Sequence, residues 1–247
     1  MTETYDSIGR GYATRRRADP RIAMALHTAL ADCTSVLNVG AGTGSYEPTD
    51  LNVVAVEPSF TMIRQRRAAA AAAVQARAEA LPFRNASFDA VLGVLTLHHW
   101  QDLKRGLAEC GRSARKRVVF LTIDLEVYGQ FWLLQEYFSD LLAIDQEIFP
   151  SIDTIAGTLG SVNVTAVPIP ADCIDGFLGA FWRRPEAYLE TAVRAGMSTF
   201  AKITNVDDRV ALLRQDLASG LWHRTHRNLL NQSEFDLGYR LVVAQLH

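Results

Sequence analysis

The run Val36-Leu37-Asn38-Val39-Gly40-Ala41-Gly42-Thr43-Gly44 limits this chain's possible folds more than any other segment. Four residues with the character of a fully buried strand lead directly into three alternate glycines. A glycine has no Cβ, so the backbone there can turn tightly and lie close against a ligand. Seventeen residues after Gly40, at the end of the next β-branched run, stands Glu57. In a doubly wound parallel sheet both strand tips open onto one crevice at the carboxyl ends of the strands. A carboxylate placed there can accept hydrogen bonds from both hydroxyls of a ribose. The bland alternative is a glycine-rich turn that serves packing alone. The placement of Glu57 favours an adenosine-binding crevice.

The remaining pattern agrees with an α/β sheet. Short β-branched runs predict strands over 36–39, 53–56, 74–78, 90–95 and 118–123, alternating with helical stretches. Pro20 opens a helix over 20–31, since proline suits a first helical turn. Ser59 caps a helix expected to run on through the alanine tract 68–74, and another covers 102–110, ended by Gly111. The second half is aromatic-rich and helical by spacing over 125–148. It adds strands at 162–167 and 239–244, separated by a long, mainly helical excursion, 171–236. Excursions of this length often cover a site. The expected architecture is one domain: a seven-stranded, mostly parallel Rossmann-like sheet with helices on both faces and a helical cap. Within it, 1–35 is read as an N-terminal helical lid and 36–124 as the cofactor half. Segments 125–160 and 171–236 form the cap, and 238–247 the last strand.

A nicotinamide dinucleotide site is the close competitor. Its fingerprint wants glycine at the first, third and sixth positions, and the sixth here is Ser45. Only six residues separate Gly44 from Leu51, too few for a helix aimed at a pyrophosphate.

Four blocks in order carry a family resemblance: 36–44, 53–58, Ala78-Glu79-Ala80-Leu81-Pro82-Phe83 with Ser87-Phe88-Asp89, and 95–100. With these, residues 5–125 resemble a class I S-adenosylmethionine-dependent methyltransferase of the broad small-molecule group called type 11. The resemblance implies S-adenosyl-L-methionine as cofactor and S-adenosyl-L-homocysteine as product. It implies that Gly40, Gly42 and Gly44 line the methionyl and ribose part, with Leu95 beside them, and that Glu57 holds the ribose. Pro58 and Met62 would flank the adenine, and Ala78 and Glu79 would lie on its edge through backbone groups. An arginine of the N-terminal stretch would pair with the cofactor carboxylate, the candidates being Arg15 or Arg16 with Tyr12. Two departures stand out. Asn38 replaces the family's usual acidic residue near the cofactor ammonium, and Arg77 replaces an Asp that often contacts the adenine amine.

Methyl transfer needs positioning, exclusion of water and, for a protonated nucleophile, a base. His98 and His99 follow the fourth strand at the crevice rim, where either could take a proton. A loop-packing role against Trp100 is the alternative for one of them. Asp124 and Glu126 make a weak metal signal, because hard cations want several oxygen ligands, and His223 and His226 read as surface residues; no metal is expected. Substrate is sought along 128–138 and 172–188, where the Trp182-Arg183-Arg184 cluster could stack on a planar or acidic molecule.

Composition bounds the partners. The sequence holds 25 basic and 27 acidic residues, a net charge of −2, so no global field draws it to polyanions. The N-terminal arginines invite a nucleic-acid reading. However, no basic face continues them, and Leu97-His98-His99-Trp100 lacks the proline-rich turn used on base amines. Methylation of RNA or protein, an NAD-linked oxidoreductase and a non-catalytic cofactor-binding protein remain as alternatives. Three separated cysteines, no basic-then-apolar leader and no long apolar run predict a cytoplasmic chain. The methyl acceptor is expected to be a small molecule, with neither nucleic acid nor membrane as partner. Acceptor identity and oligomeric state are open.

Overall fold

The structure is a computed structural model that describes residues 16–246. Seven strands form the central sheet: β1 (Ser35–Val39), β2 (Asn52–Val56), β3 (Ala72–Val74), β4 (Phe88–Val94), β5 (Ala114–Ile123), β6 (Val162–Ala166) and β9 (Tyr239–Gln245). Their spatial order is β3-β2-β1-β4-β5-β9-β6. Strands β1 to β5 are parallel neighbours, with Val36 opposite Val53 on one side and Ala90 on the other. The last strand, β9, runs antiparallel between β5 and β6. Two-residue strands β7 (Ile169–Pro170) and β8 (Glu234–Phe235) pair separately. The chain order reverses between β1 and β4, which is where an open α/β sheet leaves a crevice at its carboxyl ends.

Strand β1 is buried on both faces, as a central parallel strand must be. Alternating side chains divide the core in two. Val36, Ala90, Leu92 and Val119 pack with Ile22, Leu26 and Leu30 of α1 (Pro20–Ala29) and with the cap. Leu37, Val91, Val118 and Phe120 pack instead with Leu107, Cys110 and Ile155. The last three residues belong to α3 (Leu103–Ser113) and α6 (Ile152–Leu159), while the short α2 (Phe60–Arg64) follows β2.

Four sequence expectations about elements need correction. Ser59 does cap α2, accepting from the Met62 amide, but the helix stops at Arg64. The alanine tract becomes edge strand β3, which sits nearer the chain start than the predicted 74–78. Alanine's helical preference is only a fraction of a kcal/mol per residue over most others. It loses here to the ladder with Val54–Val56 and to the buried Arg66–Glu47 pair, which ties down Ala71 at both its backbone groups. Gly111 lies inside α3 rather than ending it. The stretch 125–148 breaks into α4 (Leu125–Tyr128), a π-turn at Leu133–Tyr137 and α5 (Ser139–Ile148). The excursion 171–236 is mostly single turns, with α7 (Thr191–Arg194), α8 (Val206–Ala218) and α9 (Leu221–Thr225) as its α-helices. Among the described residues, no helix is long and apolar enough to cross a membrane.

Candidate active site

A cleft opens at the carboxyl ends of β1, β2 and β4. Its lining includes Arg16, Gly40, Gly42, Glu57, Pro58, Met62, Ala78, Glu79, Leu95 and His99, all singled out from the sequence, together with Tyr46, Thr96 and Trp100. The glycines shape it for different reasons. Gly40 sits at φ +69°, and a Cβ there would lie 1.8 Å from Thr96 Oγ1, so the turn closes directly on the β4 loop. Gly42 sits at φ +54°. Among the described residues, chain neighbours aside, Met62 Cε at 3.4 Å is the one atom within contact range of a Cβ built there, so that Cβ would occupy cleft space. Gly44 differs from its expected role. It does not line the cleft but borders an outer groove, where a side chain would collide with Glu47 Oε2 at 2.9 Å. Its place is to admit the buried Glu47–Arg66 pair behind the turn.

Glu57 is 5% exposed and held at both oxygens. Oε2 accepts the Gly42 amide at 2.8 Å and Oε1 the Ser59 amide at 2.9 Å. The carboxylate thus joins the tips of β1 and β2 into one rigid corner. Asn38 donates to Glu47 Oε1 at 3.2 Å, which brings a carboxylate near the position where the sequence lacks one. Glu79 lines the cleft, but its Oε1 is engaged by the Gln101 and Asp102 amides.

At the other end of the cleft Arg16 is fixed by a buried acceptor that the sequence did not reveal. Asp175 takes Arg16 Nε at 2.7 Å and Nη2 at 3.1 Å, the Arg17 amide, the Gly176 amide and the Tyr46 hydroxyl at 2.8 Å. The Arg16 guanidinium also lies 5.8 Å from the Phe177 ring centre. Tyr12 and Arg15 lie outside the described residues.

Beyond Leu95 and Arg16, which line both spaces, a smaller inner pocket continues under the cap. It is walled by His98, Tyr128, Asp145, Phe149, Phe177 and Tyr239, with Met197 and Thr199 closing it from the excursion. The two histidines therefore separate: His99 faces the cleft, whereas His98 faces the inner pocket. Their rings are 3.8 Å apart, and His98 stacks on Phe149 at 4.1 Å. Leu95 adopts φ +49°, a left-handed conformation unusual for a branched side chain, at the junction of the two spaces. Burial, reinforced by Lys202, lowers the His99 pKa to about 4. His98 lies well below its ordinary value, because burial dominates and His99, Lys202 and Arg16 add to it. Both are neutral at pH 7. Burial raises the Asp145 carboxyl to about 7, against smaller opposing effects of Lys202 and the Thr199 hydroxyl.

The substrate candidates change in the same way. Phe131, Trp132, Tyr137 and Phe138 are core residues, and from 128–138 only Tyr128 reaches the pocket. Trp182 is fully buried with Nε1 on the Ile169 carbonyl, and Arg183 and Arg184 donate to backbone carbonyls, so this cluster is structural rather than a stacking surface. His223 and His226 face different partners, Glu186 and Glu136. Asp124 caps the Glu126 amide and pairs with Arg240.

Residues 37–122 match a family model described as a methyltransferase domain. A protein of Anabaena variabilis, named as a candidate methyltransferase from an antibiotic biosynthesis pathway, is 32% identical. It superposes with a TM-score of 0.86 over 94% of this chain and 99% of its own. A phosphoethanolamine N-methyltransferase of Haemonchus contortus, solved with S-adenosyl-L-methionine, shares the fold at 16% identity and a TM-score of 0.51. That match covers 91% of this chain and 52% of that protein. An uncharacterized protein of Methanocaldococcus jannaschii is 29% identical over 107 residues. The match spans 43% of each chain, under half the length of that curated relative.

Proposed function

The chain belongs to the class I S-adenosylmethionine-dependent methyltransferases, and from that premise we propose that it methylates an oxygen or nitrogen of a small molecule held in the inner pocket. The observation that carries this reading is the continuity of the two spaces past Leu95 and Arg16. One space is built by strand tips and backbone, the other closed by cap side chains. A small pocket lined by aromatic residues with a few polar groups among them suits a small acceptor better than a polymer.

Support for the cofactor's seat comes from the glycine turn and Glu57. A Cβ on Gly42 would fill the cleft, and the doubly anchored Glu57 carboxylate fits the vicinal hydroxyls of a ribose. In this reading Pro58 and Met62 flank the adenine, Ala78 and Glu79 line its edge, and Gly40, Gly42 and Leu95 border the remainder. Arg16, pinned by Asp175, supplies a fixed cation for the carboxylate end. The bound cofactor supplies a methyl group already activated by its sulfonium. The protein's work is then to align the acceptor, exclude water and receive any proton the acceptor gives up. Phe149, Phe177 and Met197 close the pocket to solvent. His98 is neutral and borders the acceptor space, so it is the base of this proposal, while His99 contacts the cofactor side. Segments 125–160 and 171–236 form the acceptor cap over the cofactor half, 36–124.

Parallel calorimetric titration with S-adenosylhomocysteine and NAD tests the cofactor; low-micromolar binding of the first alone is expected. Methyl transfer from labelled cofactor is then read across hydroxylated and amino small molecules, RNA and protein. Transfer to RNA or protein only would overturn the small-molecule reading, and binding of NAD only would overturn the methyltransferase itself.

A further inference from the structure

The inner pocket carries polar groups that its own walls leave unsatisfied. Asp145, in the middle of α5, is 1% exposed and surrounded by aromatic side chains. Its only side-chain hydrogen bond is from Thr199 Oγ1 to Oδ1, at 3.5 Å, the outer limit of such a bond. Among the described residues no second side-chain hydrogen bond reaches this carboxylate, so Oδ2 is left open towards the pocket, and His98 Nδ1, on the same pocket, is buried without a partner. No cation lies within ion-pair distance of Asp145 among the described residues; Lys202, whose charge acts on it, is exposed. Native interiors rarely leave buried polar groups unmade, and a buried carboxylate without a counter-ion is the costliest of these. A carboxylate that is 1% exposed with one long hydrogen bond, beside the unpartnered His98 Nδ1 in the same cavity, indicates a ligand that completes them.

We propose that Asp145 makes this pocket select an amine: the acceptor enters with a protonated nitrogen that Asp145 Oδ2 binds and the Tyr128 hydroxyl helps to orient. That nitrogen would give up one proton to neutral His98 before its lone pair could take the methyl group, the sulfonium sulfur leaving as the thioether. The aromatic residues Tyr128, Phe149, Phe177 and Tyr239 line the same pocket. The Arg16 guanidinium, which also lines the pocket, is paired with Asp175. This assignment rests on the inner pocket being the acceptor site and narrows it from oxygen or nitrogen to a basic nitrogen compound.

The test is a thermal-shift and calorimetric titration of the full chain, saturated with S-adenosylhomocysteine, at pH 8. The probes are a panel of primary alkylamines and arylalkylamines, each with its matched alcohol, for instance 2-phenylethylamine and 2-phenylethanol. The expected result is binding of amines at least tenfold tighter than of the matched alcohols, with that preference abolished in Asp145→Asn. Asp145→Asn keeps the shape of the side chain, and its S-adenosylhomocysteine affinity is expected to stay within twofold of wild type. Equal binding of amines and alcohols, or an amine preference that survives Asp145→Asn, would overturn the proposal. So would the absence of amine binding while S-adenosylhomocysteine still binds, which leaves the cofactor reading standing. Failure to bind S-adenosylhomocysteine would remove both.

Discussion

The two halves of the active site are built on opposite terms. The proposed cofactor cleft is drawn mostly from residues 38–100, and most of its polar groups are joined to one another. Glu57 takes two amides, Asn38 and Arg66 meet on Glu47, and Thr96 fills the space that Gly40 vacates. The inner pocket is assembled from side chains as far apart as His98, Asp145, Thr199 and Tyr239, and it leaves His98 Nδ1 without a partner and Asp145 with one long hydrogen bond. A site for an invariant ligand can be finished in advance by the backbone. A site that chooses among ligands keeps its unmet groups for the one that fits, at a cost in the stability of the empty protein.

The largest effect is expected in the finished half. Gly40→Ala drives a Cβ into Thr96 Oγ1 and holds alanine at a left-handed φ. Overpacking and backbone strain together amount to roughly 2–5 kcal/mol, a large share of an ordinary domain's stability of about 5–15 kcal/mol. Gly42→Ala has the same backbone penalty, about 1–2 kcal/mol, without the clash, and is expected to lose cofactor affinity instead. Urea unfolding of both variants separates these outcomes; equal midpoints would show that the turn does not close on Thr96.

The next effect belongs to the unfinished half. The Asp145 carboxyl is raised to about 7 in the folded chain from an ordinary value near 3.8. Between those values the unfolded chain has lost the proton that the native chain keeps, so stability falls as pH rises. This loss is up to about 4 kcal/mol and is complete above pH 7. His98 and His99 act in the opposite sense. Their lowered pKa values withdraw stability as pH falls below the ordinary histidine range, towards about 4 for His99. The difference between wild type and Asp145→Asn cancels the histidines, which both proteins share. That difference should move steadily against wild type from pH 4 to 7 and then level off. A flat difference would mean that Asp145 has a counter-ion.

Glu57→Gln probes the corner that joins the two strand tips. The amide must turn its NH2 towards either the Gly42 or the Ser59 amide, where the carboxylate accepted from both. A lost acceptor of this kind is worth about 1–3 kcal/mol. S-adenosylhomocysteine affinity should therefore fall tenfold or more, while amine selectivity, measured at saturating S-adenosylhomocysteine, should stay unchanged. If both fall together, the two halves are coupled through Leu95 and Arg16 rather than independent.

The same contrast explains what could be read from the sequence. The order β1–glycine turn–β2–Glu57 is local, so alternation and spacing located the cleft, and the β-branched runs located every strand of the central sheet except the alanine-built β3 within a few residues. Alanine pointed to helix at 72–74 because the deciding contact, Arg66 with Glu47, spans nineteen residues and leaves no periodic trace. Gly44 looked like its neighbours, although its space belongs to that same pair. Asp175 and Asp145 were invisible for a related reason. Each stands among other acids, Asp172 near Asp175 and Asp140 and Glu147 near Asp145, and only the packing against Arg16 or around the inner pocket sets it apart. Trp182 and Arg184 misled in the opposite direction, since stacking and charge in a sequence do not distinguish a pocket from a core.

The smallest effect sharpens the comparison most. Thr199, in the turn Ser198–Lys202, is the one neutral neighbour that bonds Asp145, and it does so at 3.5 Å. Thr199→Val keeps the shape and removes that donor. A bond at the limit of its range should contribute no more than about 0.5 kcal/mol. The expected loss of stability is of that size at pH 8, where Asp145 is charged, and smaller at pH 5, where it is protonated. Amine affinity should change by less than threefold. If Thr199→Val instead abolishes amine preference as fully as Asp145→Asn, the hydroxyl and the carboxylate form one receptor. The pocket would then already be organised for its ligand, as the cofactor cleft is, and the contrast between the two halves would fail.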